Sequence, residues 1–387
     1  MKPMFAYVPE NLDLRSEVHR DKYYFIITYI FYGRIFYRKK SISFIQLYSQ
    51  FLKKVINGKY KNYITKLLNW GIIETDNHYR KKIKSKGYRL TEKYRDAKTV
   101  QVRIEDEKLI ANYWNYKVGE KKKISEFPHQ YISSCLEKVE IEYDAAKEYL
   151  NKSDLDFEQY SFWNCSVDMI HSKDWFFRVD STAGRVHNNI TNLPSAFRPF
   201  LRFNNEKLVE IDISNSQPLL FNVLISRYIW RYTSHGGTSF PYVPPSTEIY
   251  KYKKLTEEGK FYEYVMDELG IQEERSKFKI RLFSKVFFSK EEENEERKIF
   301  RRLFPDVSEI ISYYKRVNYR YLAIELQKVE AEIMIHSVVP RLAEKKLFLL
   351  TIHDSILTTP DNVQVVKAVI LDEFNKYNLR PTIKEKG

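Results

Sequence analysis

Two aspartates carry most of the chemistry legible in this chain of 387 residues. Asp212 lies in KLVEIDISNSQPLLF and Asp354 in LFLLTIHDSILTTP, each where an apolar run gives way to a polar cluster. Carboxylates brought together at strand ends repel one another and resist ionising unless a cation sits between them. Magnesium meets that need with oxygen ligands, and a pair of ions roughly 3.5–4 Å apart clamps the attacking and leaving oxygens of an in-line phosphoryl transfer. Read alone, either aspartate is also an ordinary turn former. Between them lies EERSKFKIRLFSKVFFSK, in which Arg275, Lys279, Phe283 and Phe287 recur every four residues. On an α-helix such a row drifts by about 40° per step, so it stays on one stripe with two cations leading and two rings following. The cations suit the phosphates of a nucleoside triphosphate, and the rings suit its sugar and base. The same spacing also describes an amphipathic helix with buried phenylalanines.

The elements that must position these groups follow from the patterning. Leu208 to Ile211 and Leu347 to Ile352 are rich in aliphatic and β-branched residues and read as core strands. Ser355 to Thr359 is a shorter β-prone stretch stopped by Pro360, so His353 and Asp354 are expected at the tip of a hairpin.

In order and spacing these segments resemble the palm and fingers motifs of the DNA polymerase I family and the related single-subunit phage and mitochondrial RNA polymerases. Asp212 matches the first metal-binding aspartate, the row from Arg275 to Phe287 the nucleotide-binding fingers helix, and His353 with Asp354 the second metal motif. STAGRVHNNITNLPSAFRPFL is similar to the Thr-Gly-Arg segment that grips primer and template, which places Arg185, Asn192 and Pro194 on matching positions. LQKVEAEIM resembles the helix whose glutamine, here Gln327, lies against the template. The resemblance covers about half the chain, from roughly Asp180 to Pro360. It implies two Mg²⁺ ions, with Mn²⁺ as a substitute, on Asp212, Asp354 and the backbone carbonyl of Ile213. Lys279 joins the two aspartates as a catalytic residue, and Arg185, Asn192, Gln327 and His353 serve the primer-template.

Departures from the pattern bear on sugar choice. Phe287 stands where the RNA polymerases keep a tyrosine that senses the ribose 2′-OH, and phenylalanine cannot donate that hydrogen bond. Gln217 stands where the DNA enzymes keep a glutamate that walls off the 2′ side. Both favour deoxynucleotides, whereas Ser355 after Asp354 is closer to the RNA polymerase version. Tyr319 and Ala323 replace the arginine and asparagine common ahead of the glutamine, which implies weaker checking of the new base pair.

Whole-chain properties agree. A net charge of +14 and a pI near 9.3 form the footprint of a phosphate-backbone binder, and 16% aromatic residues supply core and stacking surfaces. The two cysteines, Cys135 and Cys165, have no metal spacing and point to a reducing compartment. The most apolar stretch, Tyr23 to Tyr37, is interrupted by Gly33 and Arg34 and too short to span a bilayer. The first residues lack the pattern of a signal peptide, so the expected location is cytoplasmic, away from membranes.

Residues 1–98 read as a winged-helix-like nucleic-acid-binding module. Ser41 to Lys54 and Tyr60 to Trp70 have helical patterning, and Ile72 to Glu74 and Tyr88 to Leu90 read as strands. Lys59 opens the candidate recognition helix, and the loop with Arg80, Lys81, Lys82, Lys84 and Lys86 forms the candidate wing. Residues 99–175 read as a helical, thumb-like connector, with Ile132, Leu136, Val139 and Tyr143 at helical spacing, and residues 176–387 as palm and fingers. The expected fold class is α+β: a right-hand polymerase palm of antiparallel sheet with helical fingers and thumb, plus the winged helix. The expected activity is primer extension by a DNA polymerase without proofreading, in phage or mobile-element replication. Its expected partners are primer-template, nucleoside triphosphates and a replication protein. A primase or RNA polymerase is the alternative within that class, and a non-enzymatic replication initiator or repressor the alternative outside it.

Overall fold

The structure, a computed structural model, describes residues 2–36, 42–79, 85–234, 246–290 and 294–387. Arg80, Lys81, Lys82 and Lys84 of the basic loop lie outside the described residues. The protein is α+β, with helix predominating and small antiparallel sheets. It folds as two units: Met1–Ser125, Glu140–Trp175 and Asn192–Phe200 form the first, and Glu126–Val139, Phe176–Thr191 and Leu201–Gly387 the second. The expected break near residue 98 therefore lies inside the first unit, and residues 126–139 of the expected connector group with the second.

In the first unit the apolar stretch becomes the helix Arg20–Phe36. Tyr23, Ile26, Ile27 and Ile30 recur at helical spacing and are fully buried, so this segment is the centre of a core. Among the described residues no helix is long and apolar enough to cross a membrane. After it come the strand Ile45–Gln46, the helices Ser49–Val55 and Tyr60–Asn69, and the strands Ile73–Thr75 and Gly87–Leu90. Gly87–Leu90 is the middle strand, antiparallel to both others. The expected helix over Ser41 to Lys54 is thus shorter, because Ile45 is buried and pairs with Tyr88 as a strand. Gly87 is required at that crossing: a Cβ there would lie 2.7 Å from Cβ of Phe44 and 2.9 Å from Oδ2 of Asp76. Phe5–Pro9 pairs with Thr99–Arg103, a sheet that the sequence reading did not anticipate.

The expected helical connector, residues 99–175, contains several separate helices, among them Glu107–Lys122, His129–Leu136 and Tyr143–Lys152. Asp106 caps Glu107–Lys122 by accepting a 2.9 Å hydrogen bond from the Leu109 amide. Ile132, Leu136 and Val139 are buried, but Tyr143 begins a separate helix, Tyr143–Lys152, so the four do not share one helical face.

The second unit is built on a four-stranded antiparallel sheet in the order Leu350–Ile352, Ser355–Thr358, Val209–Ile213, Ile383–Lys386. All four residues of Ser355–Thr358 are buried, as a central strand covered on both faces requires. The helix Val363–Asn375 packs on it, burying Val363, Val366, Val369, Ile370 and Phe374 at helical spacing. The helices Ser216–Ser234, Arg275–Leu282 and Tyr321–Glu330 complete this core.

Candidate active site

The register of the central strands brings the aspartates together. Val209–Ile213 and Ser355–Thr358 are antiparallel with Asp212 opposite Ser355, the residue after Asp354. Ile352 pairs with Ser355, so His353 and Asp354 form a two-residue turn, and His353 adopts φ +53° to make it. Asp212 itself lies within the strand, which continues to Ile213, and not beyond its end as the apolar run implied. Burial pushes the Asp354 carboxyl above its ordinary range and the Asp212 charge adds to that, opposed by a hydrogen bond from the Ser216 hydroxyl and by the Lys279 ammonium. Ser216 begins the helix Ser216–Ser234, whose N-terminal end favours negative charge. In the loop between strand and helix, Ser214 Oγ and Asn215 Nδ2 are buried and make no hydrogen bond among the described residues. Such polar groups ordinarily take up bound water, an ion or a ligand.

The helix Arg275–Leu282 supplies the cations. Lys279 is exposed and within electrostatic reach of Asp354. Arg275 donates to Glu263 at 2.5 Å and to Oδ1 of Asn215 at 3.0 Å, and its guanidinium lies 4.9 Å from the Tyr262 ring centre. It is therefore fixed to the loop after Asp212 as well as to its own neighbourhood. The stripe of four does not continue as expected. Phe283–Phe287 is a π-helical turn, marked by the 2.7 Å bond from the Phe288 amide to the Phe283 carbonyl. A wider turn changes the angle between residues four apart. Phe283 is half-buried, but Phe287 is fully buried against Phe221, Phe283 and Phe300. Phe287 is a core residue, and the nucleotide-facing role expected of it is corrected accordingly.

A carboxylate that the sequence reading missed stands close by. Glu330 is 2% exposed at the end of the helix Tyr321–Glu330. Arg185 donates to it at 2.5 Å and Gln217 Nε2 at 3.0 Å. Burial raises the Glu330 carboxyl to about 7, with Arg185 opposing and the Asp354 charge reinforcing the rise. Arg185 is presented by a tight loop between the strands Phe177–Val179 and Val186–Asn188. Asp180 accepts from the amides of Thr182 and Ala183, and Gly184 takes φ +74° there. Gln327 lies three residues before Glu330 and is half-buried. The helix then widens into a π segment, Ala331–Val338. Pro340 explains this, since it has no amide to offer the His336 carbonyl and crowds it.

His353 lies edge-on to His187 at 6.1 Å between ring centres. Ile213 is buried and pairs with Ile383, so only its backbone could serve a ligand. Asn192 belongs to the first unit, as does Lys59, an exposed residue just ahead of the helix Tyr60–Asn69. The structure thus gathers Asp212, Asp354, Lys279, Arg275, Gln217 and Arg185 within one unit.

No known family matches this chain, and no curated protein does. The chemistry must be read from the groups themselves. No cluster of three or more His, Cys, Asp and Glu side chains suited to a metal occurs among the described residues. Two carboxylates and a carbonyl nevertheless fit magnesium, which is commonly held by one or two carboxylates with substrate phosphates and water completing its shell. One lysine already answers the negative charge. Lys386, on the strand Ile383–Lys386, donates to Oδ2 of Asp212 at 2.8 Å and lies 3.7 Å from Glu210. Its side chain is 54% exposed, so the pair contributes little, on the order of 1 kcal/mol or less. Replacing it by Lys386→Gln is expected to tighten Mn²⁺ binding about threefold, read by the loss of the free-ion electron paramagnetic resonance signal. Unchanged or weaker binding would show that Lys386 and the ion do not compete for Asp212.

Proposed function

We propose that this protein is a template-directed nucleotidyl transferase, a DNA polymerase that extends a primer with deoxynucleotides. The observation that carries this reading is the approach of Asp212, on one central strand, to Asp354, in the turn that leads into the strand beside it, with Lys279 in electrostatic reach of Asp354. In this reading the four-stranded sheet is a palm, Arg275–Leu282 and the turn after it belong to fingers, and the architecture is akin to the DNA polymerase I family. The arrangement of helices and strands from Arg20 to Leu90 is read as a winged helix.

Asp212, Asp354 and the Ile213 carbonyl would hold two Mg²⁺ or Mn²⁺ ions, which when bound activate the primer hydroxyl and offset charge on the departing pyrophosphate. Lys279 and Arg275 place fixed positive charge where triphosphate charge must be neutralised. Gln217, held by Glu330, forms the 2′-side wall of the sugar pocket, and the half-buried Phe283 contributes a ring to the pocket for sugar and base. Arg185 and Gln327 orient the primer-template. The wall makes a specific demand: Gln217→Ala should raise ribonucleotide use about tenfold relative to deoxynucleotides, measured as the ratio of kcat/KM values.

The direct test is extension of a labelled hairpin primer-template with Mg²⁺, comparing deoxynucleotides with ribonucleotides. Deoxynucleotide extension supports the DNA polymerase reading, and ribonucleotide extension moves the protein to the primase or RNA polymerase class. A second reading, a DNA-binding initiator with a silent palm, is favoured by the exposed face of Tyr60–Asn69, which presents Lys61, Asn62, Lys66 and Asn69 and no acid. Salt-sensitive DNA binding without incorporation of either nucleotide would select it.

A further inference from the structure

Three elements remote in sequence converge on one oxygen atom in the second unit. Glu330 Oε2 accepts from Arg185 Nη2 at 2.5 Å and from Gln217 Nε2 at 3.0 Å. Arg185 comes from the loop just ahead of the strand Val186–Asn188, Gln217 from the first turn of Ser216–Ser234, and Glu330 from the end of Tyr321–Glu330. The acceptor is held firmly. Leu322, Leu326 and Val329 anchor its helix in the core, and Glu330 itself is buried. The loop of Arg185 is fitted to the same place: a Cβ on Gly184 would lie 3.5 Å from Cβ of Ala331, the residue after Glu330.

A carboxylate only accepts, so it turns the Gln217 amide nitrogen toward itself and fixes the way that side chain points. Without such a partner a glutamine has several freely rotating bonds, and a pocket wall selects only when its rotamer is locked. Arg185 differs, because its planar fork carries donors in more than one direction. Nη2 is engaged by Glu330, whereas Nε is buried and makes no hydrogen bond among the described residues. One guanidinium thus holds Glu330 and keeps a donor for a further group. We propose that Glu330 is a positioning residue for sugar choice: it locks Gln217 against the 2′ side of the incoming nucleotide and, through Arg185, makes that lock depend on the primer-template. The inference rests on the polymerase reading and adds to it a carboxylate that acts only through its neighbours.

The test uses the full chain and a labelled hairpin primer-template, and reads the ratio of kcat/KM for a deoxynucleotide over the matching ribonucleotide. Glu330→Gln keeps the shape but donates as well as accepts, so Gln217 loses its fixed orientation. Arg185→Lys keeps the charge but replaces the fork by a point donor that cannot serve Glu330 and nucleic acid together. Each substitution should lower the ratio about threefold, a part of the fall expected for Gln217→Ala. In a Gln217→Ala background neither should lower it further, because the double-mutant cycle isolates what passes through that side chain. Thermal melts show that the ratios are read on folded protein. A purely structural role would lower kcat/KM for both nucleotides alike, and an unchanged ratio in either variant overturns the proposal. An equal fall in the Gln217→Ala background overturns it too, since the effect would then bypass the wall. A wild-type protein that extends the primer with neither nucleotide refutes the polymerase reading and this inference with it, whereas extension with an unchanged ratio refutes this inference alone.

Discussion

Asp354→Asn is expected to abolish primer extension, lowering kcat by about a thousandfold or more, while raising the melting temperature of the protein. The two effects have one origin. Asp354 is partly withdrawn from water and faces the Asp212 charge, so its ionised form is disfavoured in the folded state. An asparagine keeps the shape and can still accept from Ser216 while removing the repulsion, so the melting temperature should rise. That same repulsion is what a divalent ion answers, and an amide is a poor substitute ligand. A loss of roughly 4 kcal/mol from the transition state corresponds to the thousandfold fall. Primer extension and differential scanning calorimetry on one preparation decide the matter. Retained extension would remove Asp354 from the catalytic assignment, and a lowered melting temperature would show that its role is to support the fold.

The second large effect concerns Glu330. Glu330→Ala should destabilise the protein by about 3 kcal/mol or more, because it leaves the Arg185 guanidinium and the Gln217 amide without their buried acceptor. Glu330→Gln should behave differently. The folded carboxyl titrates near 7 against an ordinary value of 4.5, so between these values the folded protein holds a proton that the unfolded chain has released. Stability from this group is therefore full below pH 4.5 and is lost as pH rises toward 7, by about 3 kcal/mol in all. Burial sets this balance first, and the groups that face the carboxyl, Arg185, Asp354 and Gln217, adjust it. Glutamine cannot ionise, so the variant should lack that decline and exceed the wild type in stability at pH 8. Urea unfolding at pH 5, 6, 7 and 8 measures both variants. A Gln variant weaker than the wild type by the same amount at every pH would mean that Glu330 contributes as a permanent anion.

What the sequence disclosed and what it withheld have separate physical causes. The strands of Asp212 and Asp354 were legible because aliphatic runs of strand length break at polar clusters, and the turn because only two residues separate the paired positions. Phe287 misled because a fourfold recurrence implies an α-helix, and nothing in FSKVF marks the π turn that buries its last ring. Glu330 was invisible for another reason: a glutamate in a charged helix is ordinarily solvated, and its burial depends on Arg185, remote in sequence. The strand Ile383–Lys386 has the composition of a solvated tail. It becomes a strand through its partner, with Lys386 opposite Glu210 and Lys384 opposite Asp212. In the first unit, Ile45 reads as helical by its neighbours and is a strand by its pairing with Tyr88.

The sheet order has a consequence for how the protein is made. Val209–Ile213 lies between Ser355–Thr358 and Ile383–Lys386, so both its partners leave the ribosome roughly 140 to 170 residues after it does. Throughout that interval an aliphatic strand has two open edges, the form most prone to pair with a neighbouring nascent chain. The acidic residues at positions 210 and 212 lie on that strand, and like charges on identical chains repel. Asp212, assigned here to catalysis, would thus with Glu210 help protect the newborn protein from itself before it has any ion to hold.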